Sequence, residues 1–244
     1  MTNDICIDVR GLVKKFANFT ANDNLTFSVR TGEIFGFLGA NGAGKTTAMR
    51  QLCGLLTPTS GYAAVAGFDV YTEAERIKKN IGYMSQKFSL YNDLTVQENI
   101  DLFGRIYGLS RREIQQRSKH LLNRLGLFHA RARRISDIPL GWKQKLAFSS
   151  ALLHSPGIVF LDEPTSGVDP VTRRQFWEMI YETAEQGTTI FLTTHYMDEA
   201  EYCSRLSIMV DGGIREMGTP QEITARHRAG SIEEVFVKLA GRSQ

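Results

Sequence analysis

The run GANGAGKT, Gly39 to Thr46, places glycines at 39, 42 and 44 directly ahead of a lysine and a threonine. It follows the short apolar run Ile34 to Leu38 and opens a predicted helix with Ala48, Met49, Leu52 and Leu55 on its apolar side. Glycines let such a loop curl until successive backbone N–H groups and the helix N-terminus point at one anion. The sequence therefore predicts a P-loop, with Lys45 neutralising the outer phosphates and Thr46 offering its hydroxyl to Mg²⁺. The predicted phosphate-binding set is Gly39, Asn41, Gly42, Ala43, Gly44, Lys45, Thr46 and Thr47. A second run, IVFLDE from Ile158 to Glu163, delivers two adjacent carboxylates at the end of an apolar strand. Asp162 is expected to hold the magnesium, and Glu163 to face the terminal phosphate and polarise an attacking water.

These groups need elements to hold them. Continuous apolar runs at Ile34 to Leu38, Ile158 to Leu161, Thr189 to Leu192 and Leu206 to Val210 suit strands of a central sheet covered on both faces. Shorter, partly alternating segments at Ile5 to Val9, Leu25 to Val29 and Tyr62 to Val65 read as antiparallel strands near the start. Helical signals concentrate between about 95 and 153, where Thr95 with Glu98 and Ser110 with Glu113 each make a capping-box pattern. After Ser110, Ile114, Leu121, Leu122 and Leu125 share one helical face, and Gly126 supplies a stop. The expected fold is α/β: one nucleotide-binding domain over 1–244, with a P-loop NTPase core, a small antiparallel β subdomain and an α-helical insertion over roughly 89–154.

Composition narrows the class. The 244 residues exclude a disulfide-stapled mini-protein, and 42% hydrophobic with 23% charged residues is a folded, soluble balance. Cys6, Cys53 and Cys203 are odd in number and stand at no redox-pair or metal-ligand spacing, which points to a reducing compartment such as the cytosol. The net charge of +3 does not by itself demand nucleic acid or anionic lipid. Its distribution is uneven: Arg105 to Arg134 carries +8, leaving −5 on the rest of the chain. A solvated helix face is the plain reading of that segment; proximity to anionic headgroups or to an acidic coupling segment is the functional one. No apolar stretch approaches a membrane span and MTNDICIDVRGLVKKF lacks a signal-peptide pattern, so any membrane work is expected to need another chain or segment.

With Pro164 and SGVDP, Ser166 to Pro170, the run LDEPTSGVDP resembles the Walker B and D-loop of the ATP-binding cassette (ABC) family, and the resemblance covers nearly the whole chain. It implies ATP and Mg²⁺ as ligands and gives further residues expected roles. Phe16, in VKKFANFT, matches the aromatic position that stacks on adenine; a buried core side chain is the competing reading, with Phe19 the substitute if the register slips. Gln86, in GYMSQKFSLYNDLTV, matches the Q-loop glutamine that touches the magnesium and the nucleophilic water. His195, in TIFLTTHYMDEA, matches the switch histidine at the terminal phosphate. His120, His129, His154 and His227 are read as ordinary structural residues. One motif departs from the family: where most members read LSGGQ, this chain reads Ile138, Pro139, Leu140, Gly141, Trp142. Pro139 has neither the serine hydroxyl nor an N–H to replace it.

The segments FTANDNLTFSV, LYNDLTVQEN, THYMDEAE and SIEEVFVKLAG resemble the ATPase components of ABC-2 type exporters of drugs and polysaccharides. The resemblance implies an ATPase that couples Mg-ATP binding, cassette dimerisation and hydrolysis to efflux. The expected partners are a second ABC cassette and a transmembrane permease subunit, with no nucleic acid, at the cytoplasmic face of the membrane. The chain itself is expected to be either a subunit or one half of a tandem cassette protein. The alternatives are a soluble ABC ATPase acting on ribosomes or nucleic acid, and a nucleotide sensor without turnover, against which Glu163 and His195 both argue.

Overall fold

The computed structural model describes residues 4–86 and 90–241; the expected start of the helical insertion at 89 lies outside them. Strands β1 (Ile5–Phe16) and β2 (Phe19–Arg30) form an antiparallel hairpin turned at Ala17, whose φ is 47°. Their alternation buries Ile7, Val9 and Leu12 against Leu25, Phe27 and Val29. Strand β3 (Ile34–Leu38) leads through the glycine-rich loop into α1 (Lys45–Leu52). The helix stops earlier than the sequence suggests, and Leu55 lies past its end, 51% exposed rather than on its buried side. Gly54, in a left-handed conformation with φ 66°, breaks the helical path before Leu55 is reached.

Strands β4 (Ser60–Val65) and β5 (Phe68–Asp69) complete a four-stranded antiparallel sheet in the order β2-β1-β4-β5. Helix α2 (Ala74–Asn80) then feeds β6 (Ile81–Met84). Helices α3 (Val96–Ile106), α4 (Arg111–Arg124) and α5 (Leu140–Ala151) follow, the last two separated by 3-10 turns at Phe128–Ala130 and Ile135–Asp137. Both expected capping boxes form, Gly126 ends the α4 path with φ 67°, and Ile114, Leu121, Leu122 and Leu125 are buried. The chain closes with β7 (Ile158–Asp162), α6 (Pro170–Glu185), β8 (Thr189–Thr194), α7 (Met197–Ala200), β9 (Arg205–Val210), β10 (Gly213–Gly218), α8 (Pro220–His227) and α9 (Ile232–Ala240).

The central sheet has six strands in the order β10-β9-β3-β8-β7-β6, parallel except for the β9–β10 pair. Its apolar strands are buried on both faces, yet each still alternates between two cores. Ile34, Leu38, Val159, Leu161, Ile190 and Leu192 join the helical side. Phe35, Phe37, Ile158, Phe160 and Phe191 join the side facing the antiparallel sheet. There Phe27 of β2 stacks on Phe35 at 5.8 Å and meets Phe37 edge-on at 5.0 Å, while Phe191 lies 4.8 Å from Phe37. Aromatic pairs of this kind add about 0.5–1.5 kcal/mol each beyond area burial, so this cluster fastens the hairpin to the strand that carries the P-loop.

Helix α5 docks on β6 through Gly82. A Cβ there would stand 2.3 Å from the Ala151 carbonyl oxygen and 3.1 Å from Val159 Cγ2, so backbone would have to move. Gly82→Ala should therefore cost about 1–3 kcal/mol of stability. Urea denaturation checks this: a lower midpoint at unchanged m-value is expected, and an unshifted midpoint would show that α5 slides freely on the sheet.

Candidate functional site

Parallel register brings the distant motifs together. Leu38 pairs with Thr194, and Asp162 with Thr193, so β3, β7 and β8 end in one row. The loop from Gly39, the pair Asp162–Glu163 and the Thr194–His195 turn thus leave the sheet at the same edge, the carboxyl edge where open α/β sheets bind ligands.

The cradle's glycines answer steric demands that can be stated atom by atom. A Cβ on Gly39 would lie 2.7 Å from the Met209 carbonyl oxygen, and one on Gly44 2.3 Å from that of Ala21. Gly42 and Gly44 also hold φ of 85° and 97°, a region closed to most side chains. Asn22, fully buried on β2, donates from Nδ2 to the Gly44 carbonyl at 3.0 Å and accepts from Gln51 Nε2 at 2.8 Å. The hairpin thereby props the loop from behind. Asn41 and Gly42 are exposed at the loop's tip, Ala43 and Lys45 are buried, and Thr46 and Thr47 are half-buried. Lys45 Nζ donates to the Gly39 and Ala40 carbonyls at 2.7 and 3.0 Å, wrapped in its own loop. Burial holds its pKa below that of a free lysine, and Glu163, with Oε1 3.6 Å away, acts in the opposite sense.

Asp162 Oδ1 accepts from Thr46 Oγ1 at 3.0 Å and from Thr193 Oγ1 at 2.6 Å. One oxygen thus joins the P-loop to β8. Glu163 takes a left-handed φ of 47°, and its N–H donates to both the carbonyl and the hydroxyl oxygen of Thr193, at 3.1 and 3.0 Å. That turn aims its carboxylate away from the sheet and toward Gln86 and His195. Gln86 Nε2 donates to Glu163 Oε2 at 2.8 Å. His195 Nδ1, a buried ring nitrogen, lies 3.1 Å from the same oxygen without hydrogen-bonding geometry and has no hydrogen-bond partner among the described residues.

Lys45, Thr46, Gln86, Asp162, Glu163 and His195, spread over 150 residues of sequence, therefore converge. Phe16 stands at the turn end of the β1–β2 hairpin, 45% exposed, with Lys14 Nζ 4.9 Å from its ring centroid. Its competing reading as a core side chain does not hold. Its register partner Phe19 is exposed as well. Pro139 caps α5, with Leu140 half-exposed, and a Cβ on Gly141 would lie 2.6 Å from Thr172 Cγ2. Residues 139–142 face Gly167, Val168 and Asp169 across a cleft of about 460 Å³. Asp169 accepts the Thr172 hydroxyl at 2.6 Å and caps α6 by accepting the Thr172 N–H at 3.0 Å, and these bonds hold its carboxyl below the ordinary range.

Sequence reasoning missed Thr193 and Asn22. Thr193 had a visible signal, since Thr193 and Thr194 are polar residues ending the apolar run Thr189 to Leu192. Asn22 had none, because its partners Gly44 and Gln51 meet it only after the hairpin docks.

The family model described as ABC transporter matches residues 22–166. The chain is 44% identical over 238 residues to the probable multidrug ABC transporter ATP-binding protein YbhF of Escherichia coli (strain K12), covering 96% of this chain and 41% of that protein. It thus spans less than half of that relative's length. It is 36% identical over 243 residues to the doxorubicin resistance ATP-binding protein DrrA of Mycobacterium tuberculosis (strain ATCC 25618 / H37Rv), covering 98% of this chain and 72% of that one. A solved structure of an ATP-binding subunit of an ABC transporter superposes with a TM-score of 0.86 at 30% identity, over 96% of this chain and 99% of the other. No helix among the described residues is long and apolar enough to cross a membrane. By its sheet order, its P-loop edge and these likenesses, the chain belongs to the ABC transporter family.

Proposed function

We propose that this chain is the ATP-binding and ATP-hydrolysing motor of a membrane exporter, working at the cytoplasmic face with a second cassette and a transmembrane permease subunit. The observation that carries the reading is the Glu163 carboxylate, approached by Gln86 at 2.8 Å, His195 at 3.1 Å and Lys45 at 3.6 Å beside a glycine-built phosphate loop. Gly39 to Thr47 hold the phosphates, with the Lys45 ammonium on the outer ones, and Phe16 offers its exposed ring to adenine. Glu163 accepts a proton from the water that attacks the terminal phosphorus, as the bond to the bridging oxygen of ADP breaks. Gln86 orients that carboxylate and the water, and His195 donates to a phosphoryl oxygen from a ring already turned toward Glu163.

The donor set suits magnesium. Thr46 Oγ1 and Asp162 Oδ1 are hard oxygens 3.0 Å apart, and Gln86 is the further ligand that the family resemblance implies. Such a sparse site fits an ion that keeps waters and takes phosphate oxygens. When bound, the ion supplies positive charge against the phosphate oxygens.

Efflux is favoured over a nucleic-acid role by relatives named for multidrug transport and doxorubicin resistance. The basic segment is also partly engaged by the fold itself. Arg117, Arg131 and Arg133 donate to the carbonyls of Leu153, Phe128 and Asp137, and Arg124 pairs with Glu182.

In a head-to-tail dimer, the Pro139–Trp142 segment of one chain would cap the other's nucleotide. A homodimer would then hold two complete cradles under two poor caps, whereas a partner with a normal signature would complete one site. We expect Pro139→Ser, Leu140→Gly and Trp142→Gln together to raise phosphate release from Mg-ATP by about 10- to 100-fold, increasingly at higher protein concentration. An unchanged or lower rate in the folded triple variant would mean that the native segment is a working cap, and no release by either the parent or the folded triple variant at any concentration would remove the motor reading.

A further inference from the structure

Glu199, on the single turn α7, is 1% exposed and has no part in the chemistry assigned above. Each of its carboxylate oxygens accepts one hydroxyl: Oε1 from Thr165 and Oε2 from Thr194, the latter at 2.6 Å. Both threonines are buried, and they stand on different segments. Thr165 comes two residues after Glu163, and Thr194 immediately precedes His195. The same Thr194 hydroxyl accepts the Tyr196 N–H at 3.0 Å, and the Thr194 carbonyl accepts the Gly39 N–H at 3.3 Å. Arg173 of α6 stands by, with Nε 3.6 Å from Oε1 and its guanidinium 4.2 Å from the centre of the Tyr196 ring.

The β7–β8 ladder ends at Asp162 with Thr193, and Thr194 pairs only with Leu38 of β3, so β7–β8 pairing does not by itself set the spacing between Glu163 and His195. Past that point the Glu163 N–H still donates to Thr193, which fixes the backbone of Glu163, and Glu199 adds a side-chain tie from Thr165 to Thr194. A buried carboxylate is a costly way to fill space, and its two acceptors are used on residues flanking the two reacting side chains. We infer that Glu199 is a positioning residue, a clamp that fixes the Glu163-to-His195 distance by binding Thr165 and Thr194 at once. This inference rests on the hydrolytic reading of the site.

Glu199→Leu should lower kcat by about 10- to 100-fold, the usual cost of losing a group that orients a reacting side chain, with ATP affinity within about twofold of the parent. Glu199→Gln, which keeps an acceptor and a donor in place, should recover most of the rate. Two readouts need no nucleotide: in the free chain, Glu199→Leu should shift the His195 imidazole ¹⁵N resonances and speed amide exchange at Tyr196, and Glu199→Gln should do neither. If Glu199→Leu does not fold, Thr194→Val and Thr165→Val each remove one arm of the clamp at constant volume and should lower kcat with affinity retained. A parent-like kcat in any folded arm-less variant, unmoved His195 resonances, or a Gln variant no better than Leu would each overturn the clamp. No phosphate release by either the parent or the variant with Pro139→Ser, Leu140→Gly and Trp142→Gln would instead overturn the hydrolytic reading, while the imidazole and exchange measurements would still decide the clamp.

Discussion

Glu163→Gln leaves Mg-ATP binding intact and lowers steady-state turnover by about 10²- to 10⁴-fold, the worth of a positioned general base. The separation of the two effects follows from how Glu163 is held. Its backbone turn is fixed by the Thr193 carbonyl and hydroxyl, neither of which senses the side-chain substitution. An amide there has nearly the carboxylate's shape, so the phosphate loop and the Lys45 side chain keep their places. What is lost is the capacity to take a proton, together with one negative charge beside the phosphates. Affinity should consequently stay level or rise, because a carboxylate repels the substrate it activates. Phosphate release with excess magnesium, paired with calorimetry, checks both halves. Equal rates for variant and parent would remove Glu163 from the reaction, and lost binding would place it in the cradle instead.

Lys45→Ala abolishes binding at concentrations that saturate the parent. A charge-assisted contact contributes about 1.5–3 kcal/mol, hence about 10- to 150-fold in Kd, and the truncation also leaves Glu163 and two loop carbonyls without their cation. The folded state should survive. The loop is braced independently by Asn22 through the Gly44 carbonyl, and by the Gly212 N–H on the Ala43 carbonyl at 3.2 Å. Circular dichroism would verify the fold, and calorimetry showing parent-like affinity in the folded variant would sink the assignment of Lys45 to the phosphates.

The residues involved in these two predictions were legible in the chain because what they require is local. Glycine at 42 and 44 answers a backbone conformation of its own residue, and capping boxes at Thr95 and Ser110 close within three residues. Apolar runs announced β3, β7, β8 and β9 because burial on both faces leaves no polar alternation to confuse them. Strands β6 and β10 escaped for the opposite reason: IGYM is short and holds a glycine demanded by α5, and GIREMG is an edge strand carrying charge. Gln86 and His195 came from resemblance, since a lone glutamine or histidine has no local signature.

Tertiary structure decided what lies around them. Thr193 meets Asp162 across 31 residues, Gln86 meets Glu163 across 77, and Asn22 meets Gly44 across 22, distances closed only by strand register and sheet packing. The Glu199 clamp is of the same kind, tying Thr165 from 34 residues away to Thr194 beyond the end of the β7–β8 ladder. By itself the sequence determined the loop, the two carboxylates and the buried strands, because each depends on the preferences of neighbouring residues. Which polar side chains hold the reacting groups in place was decided only when parallel pairing aligned Leu38, Asp162 and Thr194 at one edge. Register is a property of strand pairs, and no single segment carries it.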